Sequence, residues 1–254
     1  AEFIAASMTL DMGNTDKLAE FRRDAIRLKI EVAPPSINES DTTFDVREGR
    51  IHYALCAVKG AGEGAVEHLV EARGRQSFVS MQDFFARVDP KILKKNTLET
   101  LTNAGAFDCV LPDRARACGN LEPLIAAAQR QRRDQEIGQN DMFGGSSSAS
   151  TSVELVEAAP WSANELLQRE LTSVGFYLSA HPLDSFADLL ERKRVQNWAQ
   201  FQEAAKSGVA AGRLAGTVIS RSERNTRTGN RMGIITFSDA TGQFEAVLFA
   251  EQLE

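Results

Sequence analysis

The sequence predicts an α+β chain: a helical domain with tandem helix-hairpin-helix turns, then a flexible linker, then the truncated start of an OB-fold β-barrel. Three observations predict it. Apolar residues recur at helical spacing through most of the first half of the chain. A polar stretch ending in "GGSSSASTS" then interrupts the pattern, and such a composition buries too little apolar surface to offset its ordering entropy. From Gly212 the apolar period shortens to two, as a half-buried strand requires.

The elements follow in order. Asn14 is a natural N-cap for a helix carrying Leu18, Phe21, Ala25 and Leu28, and Pro34-Pro35 forbids its continuation. Phe44 and Val46, then Ile51, Tyr53 and Leu55, alternate around Glu48-Gly49 as a hairpin does. Further helices are predicted over Ala65 to Ala72, after Ser80 with Asp83 three residues on, through Leu98 and Leu101, and through Leu121, Leu124, Ile125 and Ala128. Ser162 and Glu165 have the spacing of a capping box that opens a helix after the linker. Three strands close the chain, with turns at Thr228-Gly229 and Thr241-Gly242.

Composition narrows the function classes. With 254 residues, 43% of them hydrophobic, the chain is long enough to bury a core. A net charge of -6 argues against a surface that grips nucleic acid everywhere and confines any such contact to a patch. Cys56, Cys109 and Cys118 have no zinc or disulfide spacing, and His52, His68 and His181 are scattered, so no metal site is expected. There is no secretory signal and no long apolar window, which points to a cytoplasmic protein without a membrane partner. The chain lacks an initiator Met and stops at "FEAVLFAEQLE" just after a strand-like alternation, so it reads as an internal piece of a longer protein.

Val58-Lys59-Gly60-Ala61-Gly62-Glu63-Gly64 joins the hairpin to a helix. Glycines flanking a small residue let the backbone turn tightly and aim consecutive N–H groups outward at a helix start, where an anion is stabilised. Lys59, Gly60, Ala61, Gly62 and Gly64 are therefore candidate contacts to a DNA backbone phosphate, made without reading bases. The glycine spacing excludes a dinucleotide-binding loop; a turn that only permits close helix packing remains the competing reading. Gly105, in "NAGAF", is either a second such hairpin or the residue that ends a helix, with Phe107 in the core. Lys91, Lys94, Lys95, Arg130, Arg132 and Arg133 form either a phosphate-facing patch or a solvated face. Among the strands, Arg221, Arg224, Arg227 and Arg231 cluster near the first turn; Arg224 and Arg227 are candidate DNA contacts, while Phe237 and Phe244 fit core better than stacking platforms. No catalytic constellation appears: His181 has no evident partner, and Asp41 and Asp45 do not suggest paired metals.

The runs "MTLDMGNTDKLAEFRRDAIRLKIEVAPPSIN", "YALCAVKGAGEGAVEHLVEAR", "LTNAGAFD", "QNDMF", "GFYLSAHPLD" and "RTGNRMGIITFSDATGQFEAVLF", in this order, resemble the alpha subunit of bacterial DNA polymerase III, a C-family replicative polymerase. The resemblance covers essentially the whole chain. It implies the end of the polymerase fingers over residues 1–48, the helix-hairpin-helix domain over 49–137, and a clamp-binding motif and linker over 138–160. It further implies a connecting helical segment over 161–207 and the first part of an OB-fold over 208–254. "QNDMF" resembles the clamp-binding pentapeptide, so Gln139, Asp141, Met142 and Phe143 are expected to contact the sliding clamp (the beta subunit), with Met142 and Phe143 filling an apolar pocket. Other partners implied are DNA and the remaining polymerase III holoenzyme subunits. The polymerase chemistry and its magnesium belong to a palm outside these residues, so this piece is expected to need no cofactor and to be inactive alone. Two alternatives stay open: an error-prone alpha-subunit paralogue in translesion synthesis, and a non-enzymatic helix-hairpin-helix/OB repair scaffold.

Overall fold

The computed structural model describes residues 1–138, 153–225, 231–249 and 251. They form two compact units, Ala1–Leu178 and Ser179–Glu254. The architecture is α+β: helices with two small sheets. Among the described residues no helix is long and apolar enough to cross a membrane.

The first unit begins with helix α1 (Glu2–Leu10), which the sequence pattern does not announce. Helix α2 (Thr15–Arg27) opens where expected: the Asn14 side chain accepts a hydrogen bond from the Lys17 amide. Strands β1 (Val32–Ala33), β2 (Asp45–Arg47) and β3 (Arg50–His52) form a sheet of order β1-β3-β2. The β2–β3 hairpin is antiparallel around Glu48 and Gly49, both at positive φ, and the short β1 adds in parallel. Leu55, expected in the strand, instead starts a 3₁₀ turn over Leu55–Ala57.

Five helices follow: α3 (Glu63–Arg73), α4 (Met81–Arg87), α5 (Lys95–Asn103), α6 (Arg114–Gly119) and α7 (Leu121–Gly138). Ser80 caps α4 by accepting from the Asp83 amide. The core gathers Leu18, Ile37, Ile51, Tyr53, Leu55, Leu69, Phe84, Leu98 and Phe107, all 1% exposed or less. Phe84 is its aromatic centre, edge-on to Phe78, Phe85 and Phe107 with ring centroids 5.0, 5.3 and 4.9 Å away.

Helix α7 continues past Ala128 through "QRQRRDQEIG", since Gln, Arg and Glu are good helix formers even without an apolar face. From Val153 the chain lies on the same unit. Val153 and Leu155 pack against its core, the Gln82 amide donates to the Val153 carbonyl, and Asn120 makes two hydrogen bonds with the Val156 backbone. These residues fall in the span assigned from sequence to a linker, and they have no regular secondary structure. Helix α8 (Ala163–Val174) starts at Ser162, which accepts from the Glu165 amide, and ends at Gly175 in the left-handed region.

The second unit contains α9 (Ala187–Arg192), α10 (Trp198–Lys206) and strands β4 (Thr217–Asn225), β5 (Arg231–Asp239) and β6 (Gly242–Phe249). The strands make an antiparallel meander of order β4-β5-β6, with an irregularity between Val218 and Ser220. The sheet is open; no closed barrel forms among the described residues. Phe237 and Phe244 are cross-strand partners stacked at 5.5 Å, and Trp198 stacks on Phe244 at 4.9 Å. Both phenylalanines thus serve the packing between helix α10 and the sheet.

Candidate nucleic-acid interface

The first hairpin is built on a buried anchor. Val58 is 1% exposed and closes the 3₁₀ turn, its amide donating to the Leu55 carbonyl at 3.1 Å. Gly60 has φ +77°, a conformation that side chains oppose. Its carbonyl accepts from the Thr97 hydroxyl at 3.3 Å, which ties the loop to α5. Ala61 is buried, and its amide returns to the Val58 carbonyl at 3.0 Å. Gly62 is the N-cap of α3 and brings no capping side chain. The amides of Gly60, Gly62, Glu63 and Gly64 consequently meet no acceptor among the described residues, and all four residues are exposed. Orphan amides at a helix start, backed by the helix dipole, make an anion site.

Lys59 contributes its side chain, not its amide. The Lys59 N–H donates to the Ser173 carbonyl at the end of α8, 2.8 Å away. Its stem crosses Gly175: a Cβ added there would lie 3.1 Å from Lys59 Cε and 2.6 Å from Thr15 Cγ2. Opposing charge surrounds the loop. Glu63 occupies the first turn of α3. Burial pushes the Cys56 thiol up to about 11, and the carboxylates of Glu63, Glu67 and Asp41 push it the same way. An anion at this loop would meet amides and one lysine against a negative background.

Gly105 has a different place. It follows α5 at φ +88°, its amide donates to the Thr102 carbonyl, and the Ala106 amide reaches back to Leu101 at 2.9 Å. This is the pattern of a helix-ending glycine. The residue is buried, and an added Cβ would lie 2.3 Å from the Arg114 guanidinium that covers it. The expectation of a phosphate contact at Gly105 therefore has no surface to act through; its alternative, a C-terminal stop with Phe107 in the core, describes the geometry. Ala61, for the same reason of burial, supports the loop and does not face solvent.

The basic patch is partly neutralised. Lys95 pairs with Glu122 and Glu99, and Arg132 pairs with Asp89 at 3.3 Å. Arg224 is exposed on β4, while Arg231 is paired with Glu223 at 2.6 Å. Arg227 and the residues Gln139, Asp141, Met142 and Phe143 lie outside the described residues. His181 caps the 3₁₀ turn over Pro182–Phe186: its ring accepts from the Leu183 amide, and Asp184 accepts from the His181 amide. Burial holds its pKa below the usual histidine range despite Asp184 and Asp239 nearby, which suits a structural role. Ser173 and Gly175, which support the loop, have no signature near it in sequence.

Comparison with known proteins matches the hairpin region. Residues 29–117 fit the family described as helix-hairpin-helix motif. Over nearly its full length the chain is 39% identical to DNA polymerase III subunit alpha of Caulobacter vibrioides, 37% to that of Haemophilus influenzae and 34% to that of Escherichia coli K12. The chain is thus similar, over nearly its whole length, to one stretch of these alpha subunits. It covers 99% to 100% of itself in these alignments and spans 22% of the length of each relative.

Proposed function

We propose that this chain is the part of a replicative DNA polymerase III alpha subunit that holds duplex DNA without sequence preference and tethers the enzyme to its sliding clamp. Template-directed synthesis and its magnesium belong to the longer polymerase, and no residue of this chain is assigned to that chemistry. The observation that carries the reading is the row of unpartnered, exposed amides at Gly60, Gly62, Glu63 and Gly64 at the start of α3, with Lys59 beside them. Such donors bind a phosphate oxygen and cannot distinguish bases.

Gly62 gives the sharpest test. Its φ of -66° suits any residue, and a Cβ there meets nothing within 4 Å, so Gly62→Val keeps the fold while placing bulk where the phosphate would approach. Wild type should bind duplex DNA weakly, with affinity falling steeply as salt rises. The valine variant should lose about tenfold or more of that affinity, the effect of one or two hydrogen bonds to a charged group. Unchanged affinity in a folded variant would remove the DNA contact from this loop.

The clamp contact rests on the resemblance of "QNDMF" to a clamp-binding pentapeptide. Burying one side chain of this size contributes roughly 1.5 to 3 kcal/mol, so Phe143→Ala should weaken clamp binding by about tenfold to a hundredfold with little dependence on salt. Titration of purified clamp against wild type and a Met142→Ala, Phe143→Ala double variant decides it; equal affinities, or none for either, would exclude this role. Arg224 and Arg227, with the second unit as an OB-fold start, are proposed as a further backbone contact.

A further inference from the structure

A buried ionic network in the first unit connects the second turn to the first. Arg114 grips Asp108 with both Nε and Nη2, donates to the Asn103 carbonyl at 3.2 Å, and pairs with Glu170 at 3.5 Å. Glu170 is 1% exposed. Its other oxygen accepts from the Leu178 amide at 2.5 Å, and the Leu178 carbonyl accepts from Arg22 at 2.6 Å. A carboxylate so buried is costly unless paired, and an apolar residue there would pack at less cost in desolvation. What the charge secures is a fixed place for the end of α8. The chain must fold back from Glu170 to Leu178, which forces the left-handed turn at Gly175. One turn beyond Glu170, the Ser173 carbonyl takes the Lys59 amide, and Gly175 carries the Lys59 stem.

We infer that Glu170 is a positioning residue for the first hairpin: it fixes the end of α8, and that end fixes Lys59 and the free amides that follow it. The role deepens the phosphate-binding reading and rests on it, yet its own readout is separate. A merely structural carboxylate would loosen the whole unit when removed. A positioning one loosens the hairpin first.

The test uses the full chain with Glu170→Ala and Glu170→Gln, following amide hydrogen exchange at Lys59 and, as a core reference, at Phe84, whose amide donates to Ser80. In Glu170→Ala the Lys59 amide should lose protection by about tenfold while Phe84 is unchanged, because local opening is distinct from global unfolding. Duplex DNA affinity should fall by about threefold to tenfold, since the binding conformation is then populated for only part of the time. Glu170→Gln retains an acceptor for Leu178 and loses the attraction to Arg114, so Lys59 protection should fall by about threefold. This variant is isosteric and carries the test should the alanine variant not fold. Unchanged Lys59 protection in either folded variant, or equal loss at Lys59 and Phe84, would overturn the inference. Gly62→Val separates the two claims: if it binds DNA like wild type, the phosphate reading fails, while exchange at Lys59 still decides the role of Glu170.

Discussion

At the scale of single residues, Tyr53 shows how a core can carry a defect. It is fully buried, with its ring edge-on to Phe44 at 4.9 Å, and its hydroxyl has no hydrogen-bond partner among the described residues. Burial pushes its pKa far above the usual tyrosine range, with the positive charge of Arg22 opposing. An orphaned buried hydroxyl loses its water without compensation, so Tyr53→Phe should leave stability unchanged or raise it by up to about 1 kcal/mol. Urea denaturation measures this directly; a loss above about 1 kcal/mol would mean that the hydroxyl is bonded in solution. Residues of this kind are legible only in part. The period-two pattern places Tyr53 inside, but nothing in "IHYAL" says that its oxygen goes unpaired. Gly60 is legible because a tight turn before a helix demands its backbone freedom, while Gly62, at φ -66°, is legible only as a small exposed residue where the helix starts. Gly105 looks similar in sequence, and only the Arg114 guanidinium lying over it separates a helix stop from a phosphate contact.

At the scale of elements, caps made helices readable and brevity hid them. Asn14, Ser80 and Ser162 each accept the hydrogen bond that their positions imply. Helix α1 escaped because "EFIAASMTL" starts without a side-chain cap and is apolar without a clear face. Helix α6 has a cap, Asp113 accepting from the Arg116 amide, but six residues are too few to display a period. In the second unit Asp239 is the joint between elements. It is 6% exposed; one oxygen accepts from the Trp198 amide at the start of α10, and the other from the Thr241 amide, the Thr241 hydroxyl and the Gly242 amide. One carboxylate thereby seats Trp198 over Phe244 and closes the β5–β6 turn. Asp239→Ala leaves several partly buried donors unsatisfied, and should destabilise this unit by about 1 to 3 kcal/mol. Trp198 fluorescence during urea unfolding reports it, with far-UV signal from the helical unit changing little. An unaltered midpoint would show that the joint is redundant.

At the scale of the whole molecule, the least legible feature was where the first unit ends. Composition places the Gly/Ser-rich stretch up to about Pro160 in a linker, and the resemblance makes the helix after it connecting material. The chain from Val153 onward instead returns to the unit that it left, through contacts with Gln82, Asn120 and Arg116 whose partners are far apart in sequence. Local pattern cannot report such contacts. The consequence is a prediction about boundaries. A chain of residues 1–160 lacks α8, and with it the burial of Leu167, Leu171, Val174, Phe176 and Leu178, each 9% exposed or less. It also takes Glu170 from Arg114 and the Leu178 carbonyl from Arg22. Each lost apolar side chain costs roughly 1.5 to 3 kcal/mol, and five of them approach the whole stability of an ordinary domain, about 5 to 15 kcal/mol. Residues 1–178 should therefore unfold cooperatively in urea and keep the Gly62-dependent DNA binding. Residues 1–160 should be molten or aggregated and bind DNA no better than the Gly62→Val variant. Equal midpoints for the two chains would mean that α8 only rests on the hairpin and does not hold it.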